Sequence, residues 1–343
     1  MRAVIADAGS LHEGTVEAPT PGAGHVLVRT VACGICGSDL HTLHVQEETP
    51  ELLPPMVFGH EYCAEVLDYG PGTEGRFDAG TLVCSVPFVD GPNGPELVGL
   101  TPNFPGGFSE RMLLQESRLL EVPNGLDADR AAVTEPLAVG VHAVNAARLA
   151  PTDVPLVLGC GPIGLAVIAA LKANGHAPVV ASDYSPARRV LAEAAGADVI
   201  VDPAQNDPYV TWLDLAGPGL PPSPLLTPAM PSPTTVVFDC VGKEGLTAKF
   251  IEVVPSHSRL IVVGVCAHPD TYTPVEAINK ELSMQYVFAY RPEEFAHALG
   301  LIAEGTVDVG PWITGHVGLD GVAQAFDDLS SPEQHCKIIV TPT

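Results

Sequence analysis

The sequence predicts an α/β protein of two domains, one mostly β and one built on a doubly wound parallel sheet. Three observations support this. The 343 residues are too many for one ordinary hydrophobic core. The first third consists of short β-type runs separated by Gly and Pro, whereas the middle alternates apolar strand-like runs with helical segments. Hydrophobic residues make up 46% of the chain and charged residues 17%, which is typical of a globular protein.

The charge balance excludes several classes of partner. The formal net charge is −25, from 16 Lys plus Arg and 41 Asp plus Glu. A surface this acidic repels phosphate backbones and anionic lipids, so we expect no nucleic-acid and no membrane partner. Asp7 interrupts the start before an apolar signal region could form, and no apolar run reaches transmembrane length. The eight cysteines are spread along the chain, which fits reduced thiols in a cytoplasmic protein.

The first domain is predicted to be mostly β. Its clearest strands are His25–Val31, Tyr62–Leu67 and Thr81–Val86, and Gly70–Gly72 is typical of a turn between two of them. This pattern continues to about residue 125, where a helical period replaces it.

Candidate metal ligands and proton-transfer groups lie close together in the first domain. Cys36, His60 and Glu61 offer a thiolate, an imidazole and a carboxylate on segments flanked by glycine. Zinc accepts such donors, and a catalytic zinc site uses about three protein ligands with one position open. Ser38 and His41 add a hydroxyl and a second imidazole, so the stretch suits a metal-centred proton relay.

Each of these residues also has a simpler interpretation. Ser38 and Asp39 are common helix caps, and His41 could be a solvated surface residue. Cys33 and Cys36 have the spacing of a redox pair, although the surrounding sequence is not thioredoxin-like. On spacing alone, the cap and the proton relay both stay open.

Glu135 is predicted to lie at the N-terminus of a helix. It precedes Pro136, and proline disfavours the α region for the residue before it while tolerating the first helical position itself. Backbone amides and the helix dipole stabilise an ionised carboxylate there. The position suits a metal ligand, but spacing alone favours a helix cap.

A dinucleotide-binding turn is predicted at Gly159, Gly161 and Gly164. These glycines spell G-x-G-x-x-G between an apolar strand and an apolar helix. The first allows a tight turn, the second lets the backbone approach a pyrophosphate, and the third lets helix pack on strand. Asp183 ends the next strand, about 20 residues later, where an acid binds ribose hydroxyls and repels the 2′-phosphate of NADP. NAD is therefore the preferred cofactor, although Asp183 could also cap the following helix.

Further strands in the middle of the chain complete the predicted parallel sheet, whose ligand lies at the carboxyl edge of the strands. The residues expected to contact the dinucleotide are Gly159, Gly161, Pro162, Ile163, Gly164, Asp183, Arg188, Val241, Val263 and Val265. Residues 203–233 contain nine prolines and are predicted to form an irregular surface excursion. Ser283–Tyr290 is predicted as a strand. The last fifty or so residues could extend this sheet or return to the first domain.

These motifs together resemble the zinc-dependent medium-chain alcohol and polyol dehydrogenases, in particular the sorbitol and threonine dehydrogenase branch. The resemblance covers essentially the whole chain. It rests on Cys36–His41, Gly59–Glu61, Gly106–Glu110, Glu135–Leu137, Gly159–Gly164 and His335–Val340. It implies a GroES-like catalytic domain over residues 1–146, a Rossmann NAD-binding domain over 147–285 and a return to the catalytic domain over 286–343. Relatives are usually dimers or tetramers, so a homodimer or homotetramer is expected.

The resemblance also implies roles for individual residues. Cys36, His60 and Glu135 would bind the catalytic zinc, and Glu61 would be either a fourth, exchangeable ligand or a residue just outside the ligand shell. Ser38 would accept the substrate proton and pass it through the nicotinamide ribose toward His41. Residues 85–108 lack the cysteines that hold a structural zinc in many relatives, so one zinc per chain is expected.

The predicted function is hydride transfer between NAD(H) and a secondary alcohol or polyol, or the corresponding ketone. One alternative is a reductase of carbon–carbon double bonds from the same family. Another is a non-catalytic protein that binds zinc or a dinucleotide, because a fold can be retained after its catalytic activity is lost.

Overall fold

A computed structural model of the protein describes residues 1–92, 94–217 and 235–342. Its strands are, in chain order, β1 (Arg2–Asp7), β2 (Ser10–Thr15), β3 (His25–Gly34), β4 (Glu61–Tyr69), β5 (Leu82–Ser85), β6 (Phe88–Gly91), β7 (Gly94–Leu97), β8 (Arg111–Gln115), β9 (Leu119–Glu121), β10 (Val154–Leu158), β11 (Val180–Ser182), β12 (Val199–Val201), β13 (Thr235–Asp239), β14 (Arg259–Val262), β15 (Ser283–Tyr286), β16 (Ile313–Val317) and β17 (Lys337–Val340).

The helices follow the same numbering. They are α1 (Gly37–Glu48), α2 (Ala128–Ala132), α3 (Thr134–Ala147), α4 (Pro162–Ala173), α5 (Pro186–Ala194), α6 (Pro208–Ala216), α7 (Leu246–Val253), α8 (Pro274–Asn279), α9 (Pro292–Ala303) and α10 (Val322–Leu329). Among the described residues, none of these helices is long and apolar enough to cross a membrane.

The chain divides into two compact units. One contains Met1–Glu135 and Phe295–Thr343, and the other contains Pro136–Glu294. The α/β class with a mostly β part and a parallel-sheet part is confirmed. The exact domain boundaries given in the sequence analysis remain a prediction.

The first unit is organised around β3. Its main sheet has the order β16-β17-β3-β4-β5-β9, and β8 also pairs with β3. Strand β17 runs antiparallel to β3, with Ile339 opposite Gly34 and Val340 opposite Cys33. The end of the chain therefore lies in the same sheet as the first domain, which decides between the two alternatives for this segment. The core of this unit includes the fully buried Phe58 and Phe108.

The second unit is a parallel sheet of order β12-β11-β10-β13-β14-β15. All five strand pairs are parallel. The order reverses between β10 and β13, and doubly wound sheets bind ligands at such a switch point. Every residue of β10 and β13 is buried, as expected for strands covered on both faces.

The predicted irregular excursion over residues 203–233 is wrong in its first part. Helix α6 begins at Pro208, Asp207 caps it by accepting a hydrogen bond from the Tyr209 amide, and its Trp212 is fully buried. The Trp212 indole donates to the Val154 carbonyl at 2.8 Å, which holds the helix against the sheet. The number of prolines did not exclude a helix here, because Pro208 occupies the first helical turn, where proline is tolerated. Residues 218–234 lie outside the described part of the chain.

The strand predicted over Ser283–Tyr290 is shorter than expected. Strand β15 ends at Tyr286, although the Val287 amide still donates to the Val262 carbonyl. Ala289 has a φ of 53°, in the left-handed region that a strand cannot accommodate. This backbone conformation explains why the extended run stops.

Candidate active site

Helix α1 begins immediately after Cys36 and brings three candidate residues together. The Cys36 amide donates to Asp39 Oδ2 at 2.9 Å, so Asp39 supplies the side-chain cap of this helix. Ser38 is therefore not needed as the cap, and its hydroxyl oxygen lies 3.3 Å from His60 Nε2. The cap interpretation of Ser38 is thus not supported, and its role in a proton relay stays a prediction.

A compact group of metal-donor atoms forms in this unit. One donor atom each of Cys36, His60 and Glu61 lies within 4.8 Å of the other two, and His60 and Glu61 are buried. Gly59, which precedes His60, has a left-handed φ of 105°, and a Cβ there would lie 2.8 Å from Cys33 Sγ and 2.9 Å from the Gly107 amide nitrogen, so the turn before His60 requires glycine. One sulfur, one nitrogen and one oxygen, with Cys36 half-buried and the other two residues buried, fit zinc.

The charges around His60 favour a cation. Asp39 Oδ1 lies 3.4 Å from His60 Nδ1. Burial alone would lower the pKa of His60, but the carboxylate of Asp39 and the thiol of Cys36 raise it, and the net pKa is well above its usual value. A positive charge at this position is therefore stabilised. Asp39 Oδ1 and Ser38 Oγ thus face the two different nitrogens of the His60 ring.

Glu61 is held by a lysine from the last strand. Lys337 Nζ donates to Glu61 Oε2 at 2.6 Å, to Oε1 at 2.8 Å and to the Ile35 carbonyl at 3.0 Å. Lys337 and Glu61 are each about 1% exposed. Both carboxylate oxygens are thus paired within the protein, in a contact that the sequence analysis missed.

Glu135 occupies the first turn of α3, as predicted from the proline that follows it. It is not a member of the three-residue donor group found among the described residues. Burial raises the pKa of Tyr62, the residue after Glu61, and the negative charge of Glu135 contributes to the same shift. Its role as a zinc ligand therefore stays a prediction.

His41 lies on the exposed side of α1, one turn after Ser38. Residues three apart on a helix share a face, so a proton leaving Ser38 has an exposed imidazole within one turn. The segment 85–108, which lacks the cysteines of a structural zinc lobe, contains the hairpin of β6 and β7 instead.

The predicted dinucleotide-binding turn is formed by the backbone of Gly159, Gly161 and Gly164. Gly159 has a φ of 85°, and a Cβ added at Gly164 would overlap the Gly159 carbonyl oxygen. At Gly161, by contrast, the nearest atom to an added Cβ is a terminal nitrogen of Arg188, 3.7 Å away. The first and third glycines are therefore required by the fold, whereas the second leaves an open surface at the start of α4, where amides and the helix dipole favour phosphate.

Asp183 lies at the carboxyl end of β11 beside this turn. Its Oδ2 accepts a hydrogen bond from the Cys160 amide at 2.7 Å, and its Oδ1 accepts one from the Ser185 amide at 2.8 Å. Ser185, not Asp183, is the N-cap residue of α5. The helix-cap alternative for Asp183 is therefore wrong, and the carboxylate is fixed at the edge where a ribose is expected.

The other predicted cofactor residues are at the same edge of the sheet. Pro162 and Ile163 open helix α4. Val241 follows β13 and Val263 follows β14, and the Val241 and Val263 amides both donate to Asp239. Val265 is 74% exposed.

Sequence reasoning missed the role of Lys337. A lysine at the start of the apolar run Lys337–Val340 was the available signal, because a buried strand does not carry a charge without a partner. Its partner could not be identified from the sequence. Glu61 is far away in the chain, and only the order of the strands β17, β3 and β4 in the sheet brings it next to Lys337.

A sulfur, nitrogen and oxygen donor group in one unit and a doubly wound parallel sheet with a glycine turn in the other are typical of zinc- and nucleotide-dependent oxidoreductases. Residues 22–124 match the alcohol dehydrogenase GroES-like domain and residues 162–304 match the zinc-binding dehydrogenase family. The chain belongs to the zinc-dependent medium-chain alcohol and polyol dehydrogenase family, and its activity is that of an alcohol dehydrogenase acting on small molecules.

Named relatives match over nearly the whole chain. It is 30% identical to the (R,R)-butanediol dehydrogenase of Bacillus subtilis (strain 168) over 346 residues, which covers 95% of both proteins. It is 27% identical to the L-galactonate-5-dehydrogenase of Escherichia coli (strain K12), covering 95% of this chain and 94% of that protein. The crystal structure of 2R,3R-butanediol dehydrogenase from B. subtilis superposes with a TM-score of 0.83 at 28% identity, covering 100% of this chain and 99% of that one.

Proposed function

We propose that this protein is a zinc-dependent, NAD-preferring dehydrogenase of secondary alcohols or polyols, with one zinc per chain. The observation that supports it most directly is the compact donor group formed by Cys36, His60 and Glu61. The similarity to butanediol and galactonate dehydrogenases supports a substrate with neighbouring hydroxyl groups.

The proposed zinc ligands are Cys36, His60 and Glu135. When bound, zinc supplies a positive charge that lowers the pKa of a substrate hydroxyl. Ser38, whose hydroxyl is close to His60, would accept that proton at its oxygen while it gives up its own proton toward the nicotinamide ribose hydroxyl and His41. His41, exposed one turn further along α1, passes it to solvent. Asp39 fixes the imidazole of His60, and Glu61 contributes a carboxylate beside the donors.

The proposed preference for NAD rests on Asp183. Two backbone amides hold its carboxylate at the end of β11, so it cannot easily turn away from a bound ribose. A fixed carboxylate accepts hydrogen bonds from ribose hydroxyls and repels a 2′-phosphate.

The test is a substrate panel on the purified protein with measured zinc content. NAD reduction is followed with 2,3-butanediol, sorbitol, threonine and ethanol, each repeated with NADP and after removal of zinc by a chelator. We expect zinc-dependent NAD reduction with a diol or polyol. A protein that carries zinc and binds NADH but turns over no alcohol or ketone contradicts the proposal.

The alternative within the family, a carbon–carbon double-bond reductase, is tested on the same preparation. The donor group and the position of Ser38 favour alcohol chemistry. NADH-dependent reduction of an α,β-unsaturated ketone that survives zinc removal would favour the alternative.

We propose that the protein is a homo-oligomer, a homodimer or homotetramer, in the cytoplasm. Strand β15 is an edge of its sheet, and Tyr286 and Phe288 are 69% and 84% exposed on an uncharged segment. We expect a second copy of the chain to cover them. An uncharged edge limits the electrostatic repulsion between two chains that each carry a net charge of −25. Phe288→Asp should lower the mass found by sedimentation, whereas Leu52→Asp, also at an exposed position, should not.

Among the described residues the cysteines form no disulfide, which fits a reducing compartment.

A further inference from the structure

An arginine of helix α5 holds the backbone of the loop that carries Asp183. Arg189 Nη1 donates to the Asp183 carbonyl at 2.9 Å and to the Tyr184 carbonyl at 2.7 Å. The side chain of Tyr184 is 74% exposed, so it does not pack this loop against the protein. The loop therefore depends on hydrogen bonds to its backbone, and Arg189 supplies two of them.

The same guanidinium joins the ends of two neighbouring strands. Arg189 Nη2 lies 3.1 Å from Asp202 Oδ2, and both side chains are 19% exposed. In the parallel register of β11 and β12, Ser182 is opposite Val201. Asp183 and Asp202 are thus the first residues beyond these paired strand ends. Arg189 connects them at the carboxyl edge of the sheet, where doubly wound folds bind their ligands.

The contacts of Arg189 are divided between a carboxylate and carbonyls. Its counter-charge is the carboxylate of Asp202, whereas at Asp183 it contacts the main-chain carbonyl. The carboxylate of Asp183 accepts the Cys160 and Ser185 amides. A carboxylate has about four lone-pair sites, so acceptor sites remain for ribose hydroxyls. The planar guanidinium, with five N–H donors, suits a bridge between two carbonyls and a carboxylate better than a lysine ammonium does.

We propose that Arg189 is a positioning residue for cofactor selection. By joining the ends of β11 and β12, it holds Asp183 where the carboxylate meets the adenosine ribose of NAD. Arg189 acts through Asp183 and does not itself contact the cofactor. This inference rests on the proposed NAD preference and deepens it, because it names a second residue on which the discrimination between NAD and NADP depends.

The experiment measures equilibrium binding of NADH and NADPH to the full-length protein through the change in nicotinamide fluorescence, so it needs neither an alcohol substrate nor turnover. The selectivity is the Kd for NADPH divided by the Kd for NADH. In Arg189→Met the affinity for NADH and the selectivity should each fall about fivefold. The reason is that the loop backbone is no longer fixed, and Asp183 then has to be ordered when the cofactor binds.

Two single variants serve as comparisons. Lys172 pairs with Asp198 at 2.9 Å, and Asp198 accepts the Val179 amide just before β11, at the opposite end of that strand. Lys172→Met removes this ion pair and should leave the selectivity within about twofold of wild type. Arg189→Lys keeps the charge without the planar fork, so its selectivity should fall about threefold. It also replaces Arg189→Met as the test if the methionine variant does not fold.

A double-mutant cycle tests whether Arg189 acts through Asp183. In the Asp183→Asn background, adding Arg189→Met should change the selectivity by less than about twofold. The carboxylate that Arg189 positions has then lost its charge, so the two substitutions are not additive.

Three results would overturn the proposal. One is an unchanged selectivity in Arg189→Met and Arg189→Lys. Another is an equal loss with and without Asp183→Asn, because the effect of Arg189 would then not depend on Asp183. The third is a loss of the same size in Lys172→Met, because any lost ion pair of this sheet would then have the same effect. Failure of the proposed NAD preference looks different, since the wild-type protein would bind NADPH as tightly as NADH.

Discussion

The metal-site region and the dinucleotide turn are built in opposite ways. The first depends on side chains that converge from separate segments, with Cys36, His60 and Glu61 supplying donors within 4.8 Å. The second depends on side chains that are missing, because a Cβ at Gly164 would overlap the Gly159 carbonyl. Removing atoms should therefore damage the first region, and adding atoms should damage the second. Gly34 combines both features. A Cβ there would overlap Glu61 Oε2, so its missing side chain leaves room for the ion pair of Lys337 and Glu61.

The largest effect is expected from removing the thiolate. Cys36→Ser should lose zinc and lower kcat/KM by about 1000-fold or more, because a hydroxyl is a poor substitute for a thiolate ligand and about 4 kcal/mol of transition-state stabilisation is lost. Zinc content by atomic absorption and steady-state kinetics measure both.

Cys33→Ser is the matched control for that variant. Cys33 is fully buried but is not a member of the donor group. It should keep one zinc and most of its activity. Equal loss of zinc in both variants would show that the ligand set is wrong.

Adding one methyl group at Gly164 should have the next largest effect. Gly164→Ala should destabilise the protein by about 3 kcal/mol or more, since backbone would have to move to relieve the overlap. Gly161→Ala meets open space beside Arg188 and should fold normally, but it should raise the KM for NAD by about tenfold because the backbone approach to phosphate is blocked. Thermal unfolding and NAD kinetics separate the two. Equal stability of both variants would contradict the different roles of these glycines.

A smaller effect is expected when one charge is removed from the cofactor side. Asp183→Asn keeps an acceptor for the Cys160 amide but loses the repulsion of a 2′-phosphate. The preference for NAD over NADP, as the ratio of kcat/KM values, should fall about tenfold, or about 1.4 kcal/mol. A ratio that does not change would show that Asp183 does not select the cofactor.

The smallest effect is a pH dependence of the stabilisation by zinc. The pKa of His60 is raised, so in the metal-free protein its proton stabilises the fold below the unfolded-state pKa of about 6.5, and this contribution is lost as the pH rises through the folded-state pKa. Zinc requires the neutral imidazole and competes with that proton. The increase in Tm caused by zinc should therefore grow from about pH 6 to about pH 9, by roughly 2 °C per pH unit. In His60→Gln this dependence should disappear, and an equal increase at every pH in the wild type would contradict the account.

Features with local causes could be predicted from the sequence. The glycine turn, Asp183 at the end of its strand and Glu135 in the first turn of α3 follow from residues within a few positions of each other. Helix α6 was missed for a local reason as well, because prolines were counted over a window without asking which helical position Pro208 would take.

Features that depend on strand order could not be predicted. The pairing of Lys337 with Glu61 requires β17 to lie beside β3, and the position of the last strand is fixed only by this sheet order. Likewise, a helix cap and a proton relay are both compatible with the spacing around Ser38. The distance of 3.3 Å between Ser38 Oγ and His60 Nε2 could not be predicted, because it depends on two segments meeting in space.

The most direct test of the central claim is an anomalous-difference map at the zinc absorption edge, from crystals grown with zinc. The account predicts one peak per chain, at bonding distance from Cys36 Sγ, His60 Nε2 and a carboxylate oxygen of Glu135, with Lys337 still bound to Glu61. A second zinc in the chain, or a zinc that Glu135 does not reach, would contradict it.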